Sequence, residues 1–586
     1  MQPRPSKARL RFMKTPAPDP SPANPGGYLV LLLFIAGMGG FLYGYDLGII
    51  GAALLYLNKT INLTLQQESL IVGAVLGGGM ISSLVAGIPA ELFGRKKVMI
   101  CSAVMFVASV GLIVFAQGFL PLFLGRALQG LSAGMIAVVI PLHLSEGLPA
   151  SIRGRGTALF QWLLTIGIFT AFCAGSHYTN GVDASVKAGV VGPALVQVQD
   201  HAWRAMFVSS IYPAVLFLVG TFFVTESPRW LFRKGKTDRA RAALLKSLSP
   251  SEAEREFREM AELASAGKGA KGVRAESSSL FQRKYVIPFI LACAVLGLTQ
   301  ATGVNSILQY LVIVLRQAGL DAGAAARSTM PISAVNCIFT LLGFSLVDRL
   351  GRKGMLMIGT GGITLSLVVG AFAFHQFESR RVDVTGPVRL AVAGAVAGSE
   401  TSLKLTPQAI GRPLGEGSNQ LFILYAYGAK GGDSLASAYT RDPNPTLIIP
   451  KGPPGQALVI KRAKYGPMPS HHTGVVIVTC VTLFFASFAT GPGVCVWLAL
   501  TELMPTRIRS IGMGVGLLIN QGISFGIAAV FLPFVGNYGY TSIFIFWAAC
   551  TLLFFLVAAF LLPETKGKSL EEISDEPATP VEKAAA

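Results

Sequence analysis

The sequence predicts an all-α membrane protein with twelve transmembrane helices in two six-helix bundles. Slightly more than half of its 586 residues are hydrophobic, 13% are charged and the mean hydropathy is +0.57, a composition that is not typical of a water-soluble domain. Many hydrophobic residues lie in runs of about 18 or more with few or no charges, which can cross about 30 Å of hydrocarbon. Clear examples are residues 98–116, 206–224 and 543–562.

Charged or polar turns divide the chain into twelve predicted spans. They lie near residues 28–56, 68–90, 97–117, 119–145, 156–176, 204–225, 285–315, 327–347, 354–375, 473–501, 510–534 and 541–562. The first six form an N-terminal bundle at 28–225 and the last six a C-terminal bundle at 285–562, with tails at 1–27 and 563–586. The segment between the bundles, 226–284, is charged and helix-prone, which predicts an intracellular linker with short amphipathic helices.

The two bundles repeat the same short motifs at equivalent places. The triplet Gly94 to Lys96 after span two is matched by Gly351 to Lys353 after span eight. The segment Glu226 to Arg229 after span six is matched by Pro563 to Lys566 after span twelve. A duplicated six-helix unit with its binding site between the copies is typical of secondary transporters.

The second bundle carries an insertion between spans nine and ten. From Gly94 to Glu146 is 52 positions and from Gly351 to Glu502 is 151, so this region is 99 residues longer in the second bundle. The insertion, residues 376–472, is polar, rich in Gly, Pro and Ser, and contains short apolar segments, which predicts a small β-rich domain. Because span nine runs outward from a basic turn, we expect an extracellular spacer or cover rather than a catalytic domain.

Basic residues follow the predicted topology. The net charge of +19 comes largely from clusters in the N-terminal tail, the linker and the turns at 95–97, 153–155 and 352–353. All of these fall on one side, which the positive-inside rule identifies as cytoplasmic. We therefore expect both termini in the cytoplasm, a location in the cell (plasma or inner) membrane and no nucleic-acid partner. The seven cysteines show no metal-ligand spacing, so neither a metal nor a cofactor is expected.

Several motifs occur in the order found in the sugar porters of the major facilitator superfamily. They are Gly44 to Asp46, Gly125-Arg126, Pro141 to Glu146, Glu226 to Leu231, Gly303 to Asn305, Asp348 to Lys353 and Pro563 to Glu571. The chain resembles this family over nearly its whole length, apart from the tails and the insertion. The resemblance implies the major facilitator fold and alternating-access transport of a monosaccharide or polyol, with no enzymatic activity.

Asp46 is the most informative single residue. A carboxylate in an apolar span costs several kcal/mol if it is ionised and unpaired, so Asp46 is expected to be paired or functional. Arg126 at the start of span four is its expected partner. In the proton-coupled members of the family the matching residues form such a pair, which implies proton symport. The alternatives are a static structural pair, a facilitative uniporter of the same fold, or a sugar-sensing receptor.

Polar residues inside apolar spans predict the sugar site. Sugar hydroxyls require amide groups that replace water and an aromatic surface for stacking. The candidates are Gln161, Gln300, Asn305, Asn336, Trp497 and Asn520. Singly, a buried Gln or Asn is more often a helix–helix contact. The chain departs from the family at Thr299, Gln309 and Gln521, so the resemblance does not name the sugar.

Charged residues at the inner helix ends predict an ion-pair network. They are Glu91, Arg95, Glu146, Arg153, Glu226, Asp348, Arg352, Glu502 and Arg509. Surface ion pairs break and re-form at modest cost, which suits an inner gate that opens in each cycle; ordinary anchoring of the inner surface is the alternative. Other expected partners are the proton and the lipid bilayer, and the chain is expected to be monomeric. Asn58 and Asn62 are glycosylation acceptors only in a host with that pathway.

Overall fold

The computed structural model describes residues 25–269, 283–394, 399–415, 417–428, 431–440, 445–496 and 509–564. Within these residues twelve helical segments are long and apolar enough to cross a membrane. This confirms the predicted number of spans and the all-α membrane fold. We call the side of the bundle on which residues 25 and 564 lie the terminal side. The opposite side, which carries the described residues between 379 and 470, is the insert side.

The first bundle contains eight helices, because two of its spans have companion pieces. They are α1 (Pro25–Thr60), α2 (Leu65–Val85), α3 (Gly87–Phe93), α4 (Arg95–Val114), α5 (Phe119–Gly147), α6 (Ala150–Lys187), α7 (Pro193–Val208) and α8 (Ile211–Phe223). The sixth span begins at Pro193, well before the predicted residue 204. After an apolar first turn, α7 carries Gln197, Gln199, Asp200 and His201, so hydropathy alone did not include this part of the span.

Three short helices follow the first bundle on the terminal side. They are α9 (Pro228–Arg233), α10 (Thr237–Ser247) and α11 (Pro250–Gly269). The N-terminal residue of α9 follows Ser227, whose hydroxyl accepts a hydrogen bond from the Trp230 amide and so caps the helix. These helices occupy most of the predicted linker, of which residues 270–282 lie outside the described part.

The second bundle begins with a broken span. Its helices are α12 (Arg283–Ala301), α13 (Val304–Gln309), α14 (Leu311–Gln317), α15 (Ala322–Leu350), α16 (Arg352–Glu378), α19 (His471–Thr490), α20 (Arg509–Tyr538) and α21 (Tyr540–Leu556), followed by a π-helix (Val557–Leu561). Gly303 separates α12 from α13 with a φ of 83°, a conformation that side chains other than glycine rarely adopt. The seventh span therefore changes direction beside Asn305.

The insertion folds into two small antiparallel sheets, which confirms its predicted β-rich character. Its strands are β1 (Val382–Asp383), β2 (Thr401–Lys404), β3 (Asn419–Tyr427), β4 (Ser434–Tyr439), β5 (Thr446–Ile449) and β6 (Leu458–Pro467), with two short helices, α17 (Thr385–Ala391) and α18 (Pro407–Ile410). One sheet has the order β1-β6-β3-β4 and the other pairs β2 with β5. Alternate residues of β3 and β6, such as Leu421, Ile423 and Ile460, fill a separate apolar core.

Small residues allow the helices of the first bundle to approach closely. A side chain added at Gly44 would lie 1.8 Å from the Leu164 carbonyl oxygen of α6, and one added at Gly130 would lie 2.0 Å from the Val75 carbonyl oxygen of α2. Close backbone contact of this kind is a common way of packing helices in membranes, where the hydrophobic effect does not drive their association. The contact at Gly44 fixes the stretch of α1 that carries Asp46.

Candidate transport site

Asp46 and Arg126 form an ion pair in the middle of the first bundle. Arg126 Nη1 lies 2.6 Å from Asp46 Oδ1, and both side chains are 0% exposed. Asp46 is on α1 and Arg126 is on α5, so the pair joins two helices that are 80 residues apart in sequence. The pairing expected from the sequence is therefore present in the structure, while its role in proton coupling stays a prediction.

The surroundings satisfy this pair only in part. Arg126 Nη1 also donates to Gln129 Oε1 at 2.8 Å, and the Arg126 guanidinium carbon lies 5.6 Å from the centre of the Phe207 ring. Asp46 Oδ2, and Arg126 Nε and Nη2, have no hydrogen-bond partner among the described residues. A buried charge pair whose remaining donors and acceptors are unsatisfied is costly to keep in one arrangement. Asp46 and Arg126 are therefore suited to exchanging hydrogen-bond partners.

Three of the predicted sugar-site residues form one amide cluster in the second bundle. Asn305 Nδ2 donates to Gln300 Oε1 and to Ser524 Oγ, each at 2.9 Å. Gln300 Nε2 in turn donates to Asn520 Oδ1 at 3.3 Å. The break at Gly303 brings Asn305 of α13 against Gln300 of α12, and Asn520 and Ser524 are one turn apart on α20. The cluster is thus built by three helical segments.

The amide cluster faces the first bundle through Gln521. Its Nε2 lies 3.5 Å from the Tyr43 hydroxyl, and a side chain added at Gly79 of α2 would lie 3.5 Å from the same nitrogen. Tyr43 was not among the predicted site residues. It lies three residues before Asp46 on α1, so its position links the amide cluster to the helix that carries the buried pair. Helical spacing from Asp46 could have identified it.

The remaining sugar-site candidates do not join this cluster. Gln161 is half-buried on α6 and Asn336 is buried on α15, and neither side chain hydrogen bonds to the amide cluster in the described part of the chain. Trp497 lies outside the described residues. These three assignments stay predictions.

Four of the predicted gate residues meet on the terminal side of the first bundle. Arg95 lies 2.8 Å from Glu146 and 3.2 Å from Glu91. Glu226 Oε1 accepts hydrogen bonds from the Arg95 and Lys96 amides at 2.8 and 3.1 Å. Arg233 of α9, which sequence reasoning missed, bridges Glu91 and Glu146 at 3.2 and 3.5 Å. These described pairs join helices of the first bundle to one another and to α9, and they do not cross to the second bundle.

The second bundle repeats one of these contacts. Glu564 accepts hydrogen bonds from the Arg352 and Lys353 amides at 3.1 and 3.3 Å, as Glu226 does from Arg95 and Lys96. Each carboxylate thus occupies the N-terminus of a transmembrane helix, where free amides and the helix dipole favour an anion. The side chains of Arg153, Asp348 and Arg509, and residue Glu502, lie outside the described part.

We call the contact of Glu226, or of Glu564, with the amides at the start of a transmembrane helix a clasp. Substitutions at the two clasps test how much they contribute to the stability of the protein. We expect Glu226→Gln to lower the Tm of the detergent-solubilised protein by about 1 °C, because a charged acceptor at a helix N-terminus contributes about 1 kcal/mol more than a neutral one and the unfolding entropy of a chain of this length is large. Glu564→Gln should have a similar effect. Glu256→Gln, in a 3.7 Å surface pair with Arg229, is the matched control and should shift Tm by less than about 0.3 °C. Equal shifts for all three variants would contradict this role.

The described hydrogen bonds between the two bundles lie at mid-membrane or toward the insert side. Ser69 Oγ accepts from the Leu532 amide at 3.1 Å, and Arg327 Nη1 donates to Asn180 Oδ1 at 2.8 Å. Nearer the middle, Cys337 Sγ lies 3.2 Å from Thr165 Oγ1. The bundles are therefore in close contact on the insert side.

A family model described as "Sugar (and other) transporter" matches residues 32–397 and 455–576. The chain belongs to this family. Members of this family are membrane transporters and not enzymes. With its twelve helices that can span a membrane, the protein is a multi-pass membrane transporter. The part of the chain that the family model leaves unmatched between its two segments, residues 398–454, lies within the insertion.

Individual relatives match this transporter over most of its length. It is 27% identical to the Probable metabolite transport protein CsbC of Bacillus subtilis, with 93% of each chain covered. It is 26% identical to the Proton myo-inositol cotransporter of Homo sapiens, covering 97% of this chain and 83% of that protein. Among solved structures, an inward open conformation of the xylose transporter XylE from E. coli superimposes with a TM-score of 0.62 at 20% identity, covering 93% of this chain and 99% of that one. The last comparison supports the major facilitator fold.

Proposed function

We propose that the protein carries a monosaccharide or polyol across the membrane by alternating access, together with a proton. The observation that carries the proposal is the fully buried pair of Asp46 and Arg126, whose second carboxylate oxygen and remaining guanidinium nitrogens have no described partner. The name of the human relative, a proton cotransporter of myo-inositol, supports the same interpretation. The cation that moves with the sugar is then the proton bound by Asp46.

Protonation of Asp46 changes what Arg126 can bind. A neutral carboxyl group attracts the guanidinium less, and the guanidinium is then free to strengthen its contact with Gln129. The two protonation states therefore favour different packing of α1 against α5, and sugar and proton together select the transition between conformations. One proton crossing about 100 mV supplies about 2.3 kcal/mol, enough for about a 50-fold sugar gradient.

The amide cluster of Gln300, Asn305 and Asn520 is the proposed sugar site. Hydrogen bonds within the cluster hold the amides in fixed orientations, and each amide can exchange its amide partner for a sugar hydroxyl. Tyr43 of the first bundle lies 3.5 Å from Gln521, the residue that follows Asn520 on α20, so a sugar bound there would contact both halves. We extend the site to Gln161, Asn336 and Trp497 on the resemblance alone.

The terminal side is the proposed cytoplasmic side of the cell membrane, where the basic residues lie. The transporter is proposed to act as a monomer in the lipid bilayer. Because the bundles meet on the insert side, the conformation described here is closed to the outside. The ion-pair network around Arg95 and its counterpart around Arg352 are proposed to close the opposite side in the other conformation.

A substrate screen tests this function. Purified protein in liposomes is supplied with pentoses, hexoses and cyclic polyols while the pH on both sides is recorded. We expect one class to accumulate against its gradient with proton entry, and an uncoupler to abolish that accumulation. Transport without a pH change and without sensitivity to the uncoupler would indicate a uniporter. Binding without transport of any sugar would indicate a receptor.

A further inference from the structure

The inserted domain is fixed to the second bundle. It is covalently joined to the ends of α16 and α19, and Arg462 of β6 donates to the Asn537 carbonyl oxygen of α20 at 2.7 Å. The guanidinium of Arg316 on α14 lies 5.9 Å from the centre of the Tyr439 ring of β4. The described insert is therefore attached to four helices of the second bundle and should move with it.

The same domain also contacts the first bundle, at the loop between α1 and α2. The Leu65 amide donates to the Asp433 carbonyl oxygen at 2.7 Å, and Asn62 Nδ2 donates to the Lys451 carbonyl oxygen at 3.3 Å. Gly432 lies against Thr64, where an added side-chain carbon would be 2.8 Å from Thr64 Cγ2. Two hydrogen bonds and one close packing contact thus join the insert to the other half.

The contact at Leu65 completes a helix end. The first amides of a helix have no acceptor within it. Thr64 supplies one through its side chain, which accepts from the Gln67 amide in a capping box. The insert supplies another at Leu65, the first residue of α2. Asp433 is held for this contact by an ion pair between its carboxylate and Lys461.

We propose that the inserted domain is a latch that holds the two bundles together on the insert side and so limits opening toward that side. The inference rests on the proposed alternating access. When the bundles separate on the insert side, the domain moves with the second bundle, and the contacts at Asn62, Thr64 and Leu65 must break. A free energy that is present only in the closed arrangement shifts the population toward it.

A reversible cross-link tests whether this contact must open during transport. A β-carbon added at Gly432 would lie 3.1 Å from Thr64 Cβ, so a small shift reaches the separation of a disulfide. In Thr64→Cys/Gly432→Cys, we expect oxidation to lower transport at least about 10-fold and reduction to restore it. The two single variants under the same oxidant are the controls. Full transport in a quantitatively cross-linked sample would overturn the latch.

A second experiment reads the latch without substrate. Leu65→Pro removes the amide that Asp433 accepts from, and proline is tolerated at the first position of a helix. Thr64 already has the extended conformation, with φ of −77° and ψ of 159°, that a residue before proline requires. Leu65→Ala is the matched control, because it removes the same side-chain packing and keeps the amide.

The readout is alkylation of Ser69→Cys by a membrane-impermeant maleimide added on the insert side. Ser69 is fully buried where the bundles meet, and the modified peptide is identified by mass spectrometry. We expect labelling at least about threefold faster with Leu65→Pro than with Leu65→Ala, and equal rates would overturn the latch. If the substrate screen finds no transported sugar, the proposed function fails, while this labelling comparison still decides whether the domain restrains the two halves.

Discussion

Replacing Asp46 with Asn is expected to abolish uphill sugar accumulation while leaving exchange across the membrane intact. Asn has the shape of Asp but binds no proton, so the pair with Arg126 at 2.6 Å loses both its charge and its dependence on protonation. The sugar gradient that the proton supplies, about 50-fold at 100 mV, should fall to about 1. Counterflow exchange in the same liposomes should stay within about threefold of the unmodified protein.

The matched control for this substitution is Asp200→Asn. Asp200 also pairs with an arginine, Arg204, at 2.8 Å, but both side chains are partly exposed and lie four residues apart on one helix. A partly exposed pair of this kind contributes about 0–1 kcal/mol, so accumulation should be retained. If Asp46→Asn accumulates sugar as well as Asp200→Asn does, Asp46 is a structural residue and another group carries the proton.

Replacing Asn305 with Ala is expected to raise the half-saturating sugar concentration by about tenfold or more. Its Nδ2 donates to both Gln300 and Ser524. Removing it leaves a half-buried and a buried acceptor without their donor and takes away one hydrogen-bond donor for the sugar. Each unmet group costs about 1–3 kcal/mol, and about 1.4 kcal/mol corresponds to a tenfold change in affinity. The maximal rate should change less than the half-saturating concentration.

The same change at Asn537 is the control for Asn305. Among the described residues the Asn537 side chain donates only to the Pro533 carbonyl oxygen of its own helix, at 2.9 Å, and it lies at the far end of α20. We expect Asn537→Ala to leave the half-saturating concentration within about twofold of the unmodified protein. Equal effects at the two positions would show that loss of an amide anywhere in α20 or α13 disturbs the fold, and would remove Asn305 from the sugar site.

The features that could be predicted from the sequence were those set by the free-energy cost of placing a residue in the membrane. An acid in an apolar run needs a partner, and Arg126 was one of few candidates, so the pair could be found without coordinates. The twelve spans follow from the length of hydrocarbon that they cross. The break in the seventh span could be expected at Gly303, because glycine permits the backbone conformation that the structure has there.

Contacts that depend on how distant segments dock could not be predicted. The hydrogen bond from the Leu65 amide to the Asp433 carbonyl oxygen joins two backbone groups, so the identity of neither side chain predicts it. Arg233 lies beyond the end of a span, in a linker that was read only as amphipathic, yet α9 folds back to place it beside Glu91. Whether Gln161 and Asn336 face the same cavity depends on the angle between the two bundles, which periodicity within one helix does not contain.

The paired clasps at Glu226 and Glu564 bear on how motion spreads through the protein. Each ties the last transmembrane segment of a bundle to the start of the third one through backbone amides, so the two segments cannot slide past each other. A bundle stiffened in this way rotates as a rigid body. A small displacement around Asp46 then moves the terminal end of the first bundle as well, rather than being absorbed by bending of the helices.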